Sequence, residues 1–196
     1  DCAGHGRGCT PGSACFVSRS PDRVFSVHAC PLPEGALLAC YRRDGAFTDC
    51  YAVDMPGSVS HARYVAAFYT TPVFRLERLI LQWAVSRPSS AAQAEQLAAG
   101  EIDNFAAWRV ESRAENQLLL ADLQGRTRSW LMVVRLDTGN GPATRLYFGS
   151  AVVPVEGYRA GKPTLGPVVR ALLGFHRIYS QVLLSAAKSR LTAEEM

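Results

Sequence analysis

The chain has 196 residues, of which 48% are hydrophobic and 19% charged, and its formal net charge is +4. These values are typical of a globular protein and exclude a disordered one, and the length favours a single domain with a real core. The basic residues are scattered, which argues against nucleic-acid binding. No apolar run approaches the roughly 18 residues of a membrane span, so we expect no span and a cytoplasmic location.

Residues 1–45 are predicted to form a cysteine- and glycine-rich leader that is partly flexible. All six cysteines lie near this segment: Cys2, Cys9, Cys15, Cys30, Cys40 and Cys50. Because no C-x-x-C pair occurs among them, free thiols are favoured over a metal or disulfide framework. Residues 24–30 are a candidate short strand. Residues 36–41 and 46–53 are predicted as the two strands of a hairpin, with its turn at Asp44-Gly45.

A helical region is predicted next. Ser58 or Ser60 can cap a first helix, Thr71-Pro72 can begin a second, and residues 91–99 favour a third that ends at Gly100.

Short runs of alternating apolar residues then predict an antiparallel meander. The predicted strands are residues 105–113, 117–123, 127–136 and 144–154, which with residues 46–53 gives five. Residues 165–191 are predicted as one long helix. The expected fold class is therefore α+β: a β-meander packed against a long C-terminal helix, with two or three helices inserted after the first strand. Residues 46–191 would form this single domain, and residues 192–196 a short tail.

Two aromatic residues on the last helix are candidates for ligand contact. His176 and Tyr179 are spaced i, i+3 on its apolar stripe, so both are expected to face the sheet. A histidine there can orient a ligand or transfer a proton, because it titrates near neutral pH. The alternative is a histidine at the edge of the core, hydrogen-bonded to a carbonyl or carboxylate.

The remaining candidate ligand contacts are basic or aromatic: Arg126, Arg128, Trp130, Trp108 and Tyr147. Arg126, Arg128 and Trp130 occupy alternate positions of one strand, so their side chains share a face and can bracket a carboxylate or phosphate against an indole. The alternative is a solvated strand start, in which Arg128 pairs with Asp122 or Glu111. Trp108 is equally compatible with a core position.

Six segments carry a resemblance to known proteins: Tyr51-Ala-Val-Asp54, Ala67-Phe-Tyr-Thr-Thr-Pro-Val-Phe74, Phe105-Ala-Ala-Trp-Arg-Val110, Gly125-Arg-Thr-Arg-Ser-Trp-Leu131, Leu146-Tyr-Phe-Gly-Ser150 and Gly174-Phe-His-Arg-Ile-Tyr179. Through them residues 46–191 resemble an uncharacterised bacterial family, a domain of unknown function tied to no reaction. The order of elements is more distantly similar to START-like (helix-grip, SRPBCC) domains. Those domains wrap a sheet of six or seven strands around a C-terminal helix and often bind hydrophobic ligands, whereas five strands are predicted here.

This resemblance implies a domain that binds a small hydrophobic, amphipathic or acidic ligand in a cavity between the sheet and the C-terminal helix. An enzyme of cyclase or hydrolase type, using His176 and an arginine in that cavity, is an alternative. A purely structural interaction module is another. The residues predict no cofactor, metal or catalytic motif, and the oligomeric state is left open.

Overall fold

The computed structural model describes residues 26–72, 74, 90–137, 139, 141–153 and 167–194, with side chains of the last helix from residue 177 onward. The elements in chain order are β1 (His28–Ala29), α1 (Ala39–Arg43), β2 (Phe47–Pro56), α2 (His61–Tyr69), α3 (Ala91–Ala99), β3 (Asn104–Phe105), β4 (Trp108–Ala114), β5 (Gln117–Asp122), β6 (Thr127–Asp137), β7 (Pro142–Val152) and α4 (Pro167–Ala193).

The strands form one antiparallel sheet in the order β1-β2-β7-β6-β5-β4-β3. Strands β3 to β7 follow one another as a meander, and β2 returns to pair with β7 along its whole length. Helices α2 and α3 lie between β2 and β3 in the sequence, and α4 follows β7 and contacts β2, β7 and α2. The predicted α+β class, with an antiparallel sheet and a C-terminal helix packed on it, is confirmed. The sheet has seven strands rather than the five predicted. The two additional strands, β1 and β3, have only two residues each and carry no alternating pattern of their own.

The predicted hairpin of residues 36–41 and 46–53 is wrong in its first strand. The chain forms helix α1 there, and β2 pairs with β1 and β7 instead. Leu38 is fully buried just before this helix, and Gly45 follows it with φ +80°. The Asp44-Gly45 pair therefore ends a short helix rather than closing a two-residue hairpin.

The predicted strand 105–113 is interrupted. Ala106 has φ +53°, and a tight turn at this point divides the segment into β3 and β4, which pair with each other. The left-handed conformation of a non-glycine residue carries no sequence signal, so the alternation alone predicted one continuous strand.

The predicted helix starts and stops follow the sequence more closely. The Ser60 side chain accepts a hydrogen bond from the Arg63 backbone and caps α2. Ser90 and Gln93 form a capping box on α3, and Gly100 ends that helix with φ +81°. The helix predicted to begin at Thr71-Pro72 lies mostly outside the described residues.

Apolar side chains cover both faces of the sheet. The larger cluster lies between one face and helices α2, α3 and α4, and its members include Tyr64, Phe68, Leu131 and Leu184. On the opposite face, residues 30–41 and helix α1 pack over a smaller cluster centred on Trp130. Residues that precede position 46 thus supply the cover of the second face.

Candidate functional site

The candidate ligand residues are divided between the two faces of the sheet. Tyr179 and Trp108 are half-buried against the larger cluster, whereas Trp130 and Tyr147 belong to the smaller one on the opposite face. Arg126 is exposed. The side chain of His176 lies outside the described part of the chain. One pocket therefore does not collect the described members of this set.

Arg128 makes the structural ion pair that was the alternative to ligand binding. Its Nε lies 2.6 Å from Oε2 of Glu111 on β4, and it also donates to the hydroxyl of Tyr41 at 2.7 Å. The Tyr41 hydroxyl in turn donates to Glu111, and the guanidinium lies 4.7 Å from the Tyr41 ring centroid. These contacts join α1 to the meander, so the Arg128 guanidinium already has partners within the protein.

Trp130 is also structural. Its indole is fully buried, and Nε1 donates to Oε1 of Gln117 at 2.9 Å. The same oxygen accepts from the backbone N–H of Leu37, while the Gln117 amide donates to the carbonyl of Gly35. A single buried amide thus joins the indole to the segment that covers this face.

The space between the sheet and the described side chains of α4 is filled by the protein itself. Leu183 is 2% exposed, and Leu184, Ala187 and Leu191 are fully buried. This part of the interior resembles an ordinary core. Trp108 borders it, and its Nε1 is buried without a hydrogen-bond partner among the described residues.

An open cleft of about 670 Å³ lies at the β1–β2 edge of the sheet, beside Arg177 and Gln181 in the middle of α4. Its lining comes from four places: residues 29–32, the first half of β2, one side chain of α1 and two side chains of α4. The lining residues are Ala29, Cys30, Pro31, Leu32, Arg42, Phe47, Thr48, Asp49, Cys50, Tyr51, Arg177 and Gln181. The volume falls within the range of about 300–1,000 Å³ that is usual for small-molecule sites.

Two arginines give this cleft its charge. Arg42 lies in the last turn of α1 and Arg177 lies on α4, and both side chains are exposed. Among the described residues, neither guanidinium has a carboxylate within salt-bridge distance. Asp49 on β2 supplies the opposing charge, and its Oδ1 accepts from the backbone and hydroxyl of Ser150 at 3.0 and 2.6 Å. Burial and the Asp49 carboxylate raise the pKa of Tyr51, so its hydroxyl stays protonated near neutral pH.

Two cysteines lie side by side in the lining of the cleft. Cys30 follows β1 and donates its backbone N–H to the carbonyl of Cys50 on β2 at 2.9 Å. The two sulfurs are 3.5 Å apart. The hydrogen bond from Cys50 lowers the pKa of Cys30, and the Arg145 charge acts in the same direction, whereas contact with Cys30 and burial raise the pKa of Cys50. In the described part of the chain no cluster of three or more histidine, cysteine or acidic residues is suited to hold a metal ion.

A second hollow of about 350 Å³ lies between the starts of α2 and β5, beside the end of α3. His61 borders it, and its Nε2 is buried without a hydrogen-bond partner among the described residues. Burial lowers the pKa of His61 to about 4, and the nearby Arg113 charge adds to this. The imidazole is therefore neutral at physiological pH.

Comparison with known proteins assigns no family, since the chain matches no protein-family model and no curated protein. Within the described residues, no helix combines the length and the apolar character that crossing a membrane requires.

Sequence reasoning missed Arg42 and Arg177 as site residues. The one sequence signal for Arg42 was the Asp44-Gly45 pair. This pair follows the end of α1, and Arg42 lies in the last turn of that helix.

Proposed function

We propose that the protein binds a small amphipathic acid in the cleft between the β1–β2 edge and α4. The observation that carries this proposal is the position of Arg42 and Arg177 in one cleft with an apolar wall that includes Leu32 and Phe47. A guanidinium recognises a carboxylate or phosphate through charge-assisted hydrogen bonds, and an aliphatic or aromatic body favours the apolar wall.

A helix-grip architecture is part of the same proposal. A seven-stranded antiparallel sheet, helices between its second and third strands and a C-terminal helix on one face all support it. The cleft borders α4 at the β1–β2 edge of the sheet, and START-like domains hold a ligand between the sheet and this helix. The core around Leu184 is filled, so the proposed ligand lies beside Arg177.

The enzyme alternative has less support among the described residues. It used His176 and an arginine in the cavity, and the side chain of His176 lies outside the described residues. Of the arginines, Arg128 lies on the other face of the sheet in contact with Glu111, whereas Arg177 lines the cleft. The proposal is therefore limited to binding.

The test compares an acid with its uncharged counterpart. Isothermal titration calorimetry with dodecanoate and dodecanol, and with naphthoate and naphthol, separates the charged contact from the apolar one. Removing one charged hydrogen bond costs about 1.5–3 kcal/mol, which is about 10- to 100-fold in Kd. Arg177→Met and Arg42→Met should weaken both acids by this factor and leave the alcohols unchanged.

Arg43→Met is the matched control. Arg43 follows Arg42 on α1, is exposed and does not line the cleft, so this variant removes the same charge without touching the site. It should bind both acids as the unmodified protein does. Equal affinity for the acids in Arg177→Met, Arg42→Met and the control, or no binding of any of the four compounds, would refute the proposal.

A further inference from the structure

The cleft also brings together two thiols that ligand binding does not use. Cys30 and Cys50 face each other across the antiparallel β1–β2 pair, one step beyond the Ala29–Tyr51 partners. Both side chains line the cleft, Cys50 being 5% exposed and Cys30 more open. A reagent that enters the cleft therefore reaches the sulfur of Cys30 first.

The geometry permits a bond between the two sulfurs. A disulfide requires Cα atoms about 4.4–6.8 Å apart and sulfurs about 2.05 Å apart, and facing residues of an antiparallel pair meet the first condition. The sulfurs are 3.5 Å apart, so the remaining approach is within reach of a side-chain rotation. Strand β1 is a two-residue edge strand, and few backbone hydrogen bonds resist its adjustment.

We propose that Cys30 and Cys50 form a thiol–disulfide exchange site, which reacts with a small-molecule disulfide such as glutathione disulfide to give a cross-strand Cys30–Cys50 bond. The Cys30 thiolate attacks one sulfur of the reagent, whose S–S bond breaks, and the first thiolate leaves and takes up a proton. Cys50 then loses its proton and attacks the Cys30 sulfur, which releases the second small thiol. Two protein thiols are oxidised, one external disulfide is reduced to two thiols, and no other reactant is needed.

The environment of the two thiols sets the order of these steps. Contact with Cys50 lowers the pKa of Cys30, which suits it to attack first. The same contact, with burial, holds the pKa of Cys50 high. Once Cys30 is bound in the mixed disulfide its negative charge is gone, and the largest cause that held the proton on Cys50 goes with it. Cys50 is then free to act as the resolving thiol.

Cys40 is a built-in control. It lies on α1, is also half-buried, and its thiol donates to the carbonyl of Leu37 at 3.2 Å, and it does not line the cleft. It shares a tryptic peptide, residues 24–42, with Cys30, whereas Cys50 is the sole cysteine of peptide 44–63. The Cys40→Ala variant therefore makes any cross-link between these two peptides specific to Cys30.

The experiment treats the folded chain with glutathione disulfide, stops the exchange with acid, blocks free thiols with N-ethylmaleimide in denaturant, and analyses tryptic peptides by mass spectrometry without prior reduction. The unmodified protein and Cys40→Ala should both yield the cross-linked peptides 24–42 and 44–63. Cys50→Ala should instead accumulate glutathione on Cys30, because the resolving thiol is missing. Cys30→Ala should give neither a cross-link to Cys50 nor glutathione on Cys50. Circular dichroism of each variant confirms that it is folded before it is scored.

Three outcomes would overturn the proposal. They are a folded Cys40→Ala protein that forms no cross-link, a Cys50→Ala protein that modifies Cys40 as fast as Cys30, and a Cys30→Ala protein that accumulates glutathione on Cys50. No ligand is present in these reactions. The result is therefore independent of whether the cleft binds an amphipathic acid.

Discussion

Protonation of His61 should destabilise the fold as the pH falls. The residue is the first of α2, where the positive end of the helix dipole adds to the burial that disfavours an imidazolium. Arg113 and Glu115 border the same hollow, and the positive Arg113 charge also opposes protonation. A backbone hydrogen bond with Leu131 raises the pKa but does not outweigh burial, and Nε2 has no partner among the described residues.

The pKa values fix the sign and size of the effect. In the folded protein the pKa is about 4, against 6.5 for a free histidine. Between these values the unfolded chain binds more protons than the folded one, so stability rises with pH. The contribution is fully present above about pH 6.5 and is lost progressively as the pH falls to about 4, for a total of about 3 kcal/mol. From about pH 7 to pH 4.5 the loss should be about 2 kcal/mol.

The assay is urea unfolding, followed by circular dichroism, of the unmodified protein and His61→Phe at several pH values from about 7 to 4.5. Phenylalanine keeps the ring volume and removes the titration. The variant can differ in absolute stability, but its unfolding free energy should fall about 2 kcal/mol less than that of the unmodified protein over this interval. His61→Gln, which keeps a polar side chain, should show the same reduced slope. Parallel curves for all three proteins would refute the reasoning.

Three further substitutions test the packing and the polar contacts of the sheet. Gly149→Ala should cost about 1–3 kcal/mol in urea unfolding, because a Cβ there would lie 2.9 Å from Leu38 and from a backbone oxygen of β2; an unchanged midpoint would contradict the tight approach. Arg145→Met should cost about 2–4 kcal/mol, since it leaves the largely buried Asp54 carboxylate without its two hydrogen bonds of 2.5 and 2.7 Å; a loss below about 0.5 kcal/mol would show the pair to be dispensable. Tyr64→Phe removes a buried hydroxyl that donates to a β7 carbonyl at 3.0 Å, and a drop of about 1–2 kcal/mol in the same assay is expected, whereas a more stable variant would contradict it.

The meander and the helix caps could be predicted from the sequence because their signals are local. Strand β6 begins at the predicted residue and ends one residue later than predicted, since each successive side chain alternates between two apolar faces. The caps of α2 and α3 depend on Ser60 and Ser90, and each bonds to a backbone N–H three residues away. Such contacts leave a pattern within a window of a few residues.

The cover of the second face could not be predicted because it depends on distant contacts. The indole of Trp130 lies in a core whose cover is bonded to Gln117, and the Gln117 partner Leu37 stands 80 positions earlier in the chain. Without that contact, the alternation that carries Arg128 and Trp130 is equally compatible with a ligand wall. The sequence therefore predicts that these side chains share a face, but it does not indicate what covers that face.

The position of the cleft follows from where β1 stops pairing with β2. The paired positions end at Ala29 with Tyr51, and Cys30 adds one more backbone hydrogen bond. Among the described residues, no β1–β2 partners are assigned beyond this point. The first residues of β2 pair with β7 on one side and border the cleft on the other. An open edge of this kind usually requires protection from unwanted strand pairing.

Cys30 is therefore the last residue of its segment whose backbone bonds to β2, and its thiol lies opposite that of Cys50. Both thiols stand at the end of the β1–β2 pairing because residues 30 and 50 face each other there, and this is where the cleft begins.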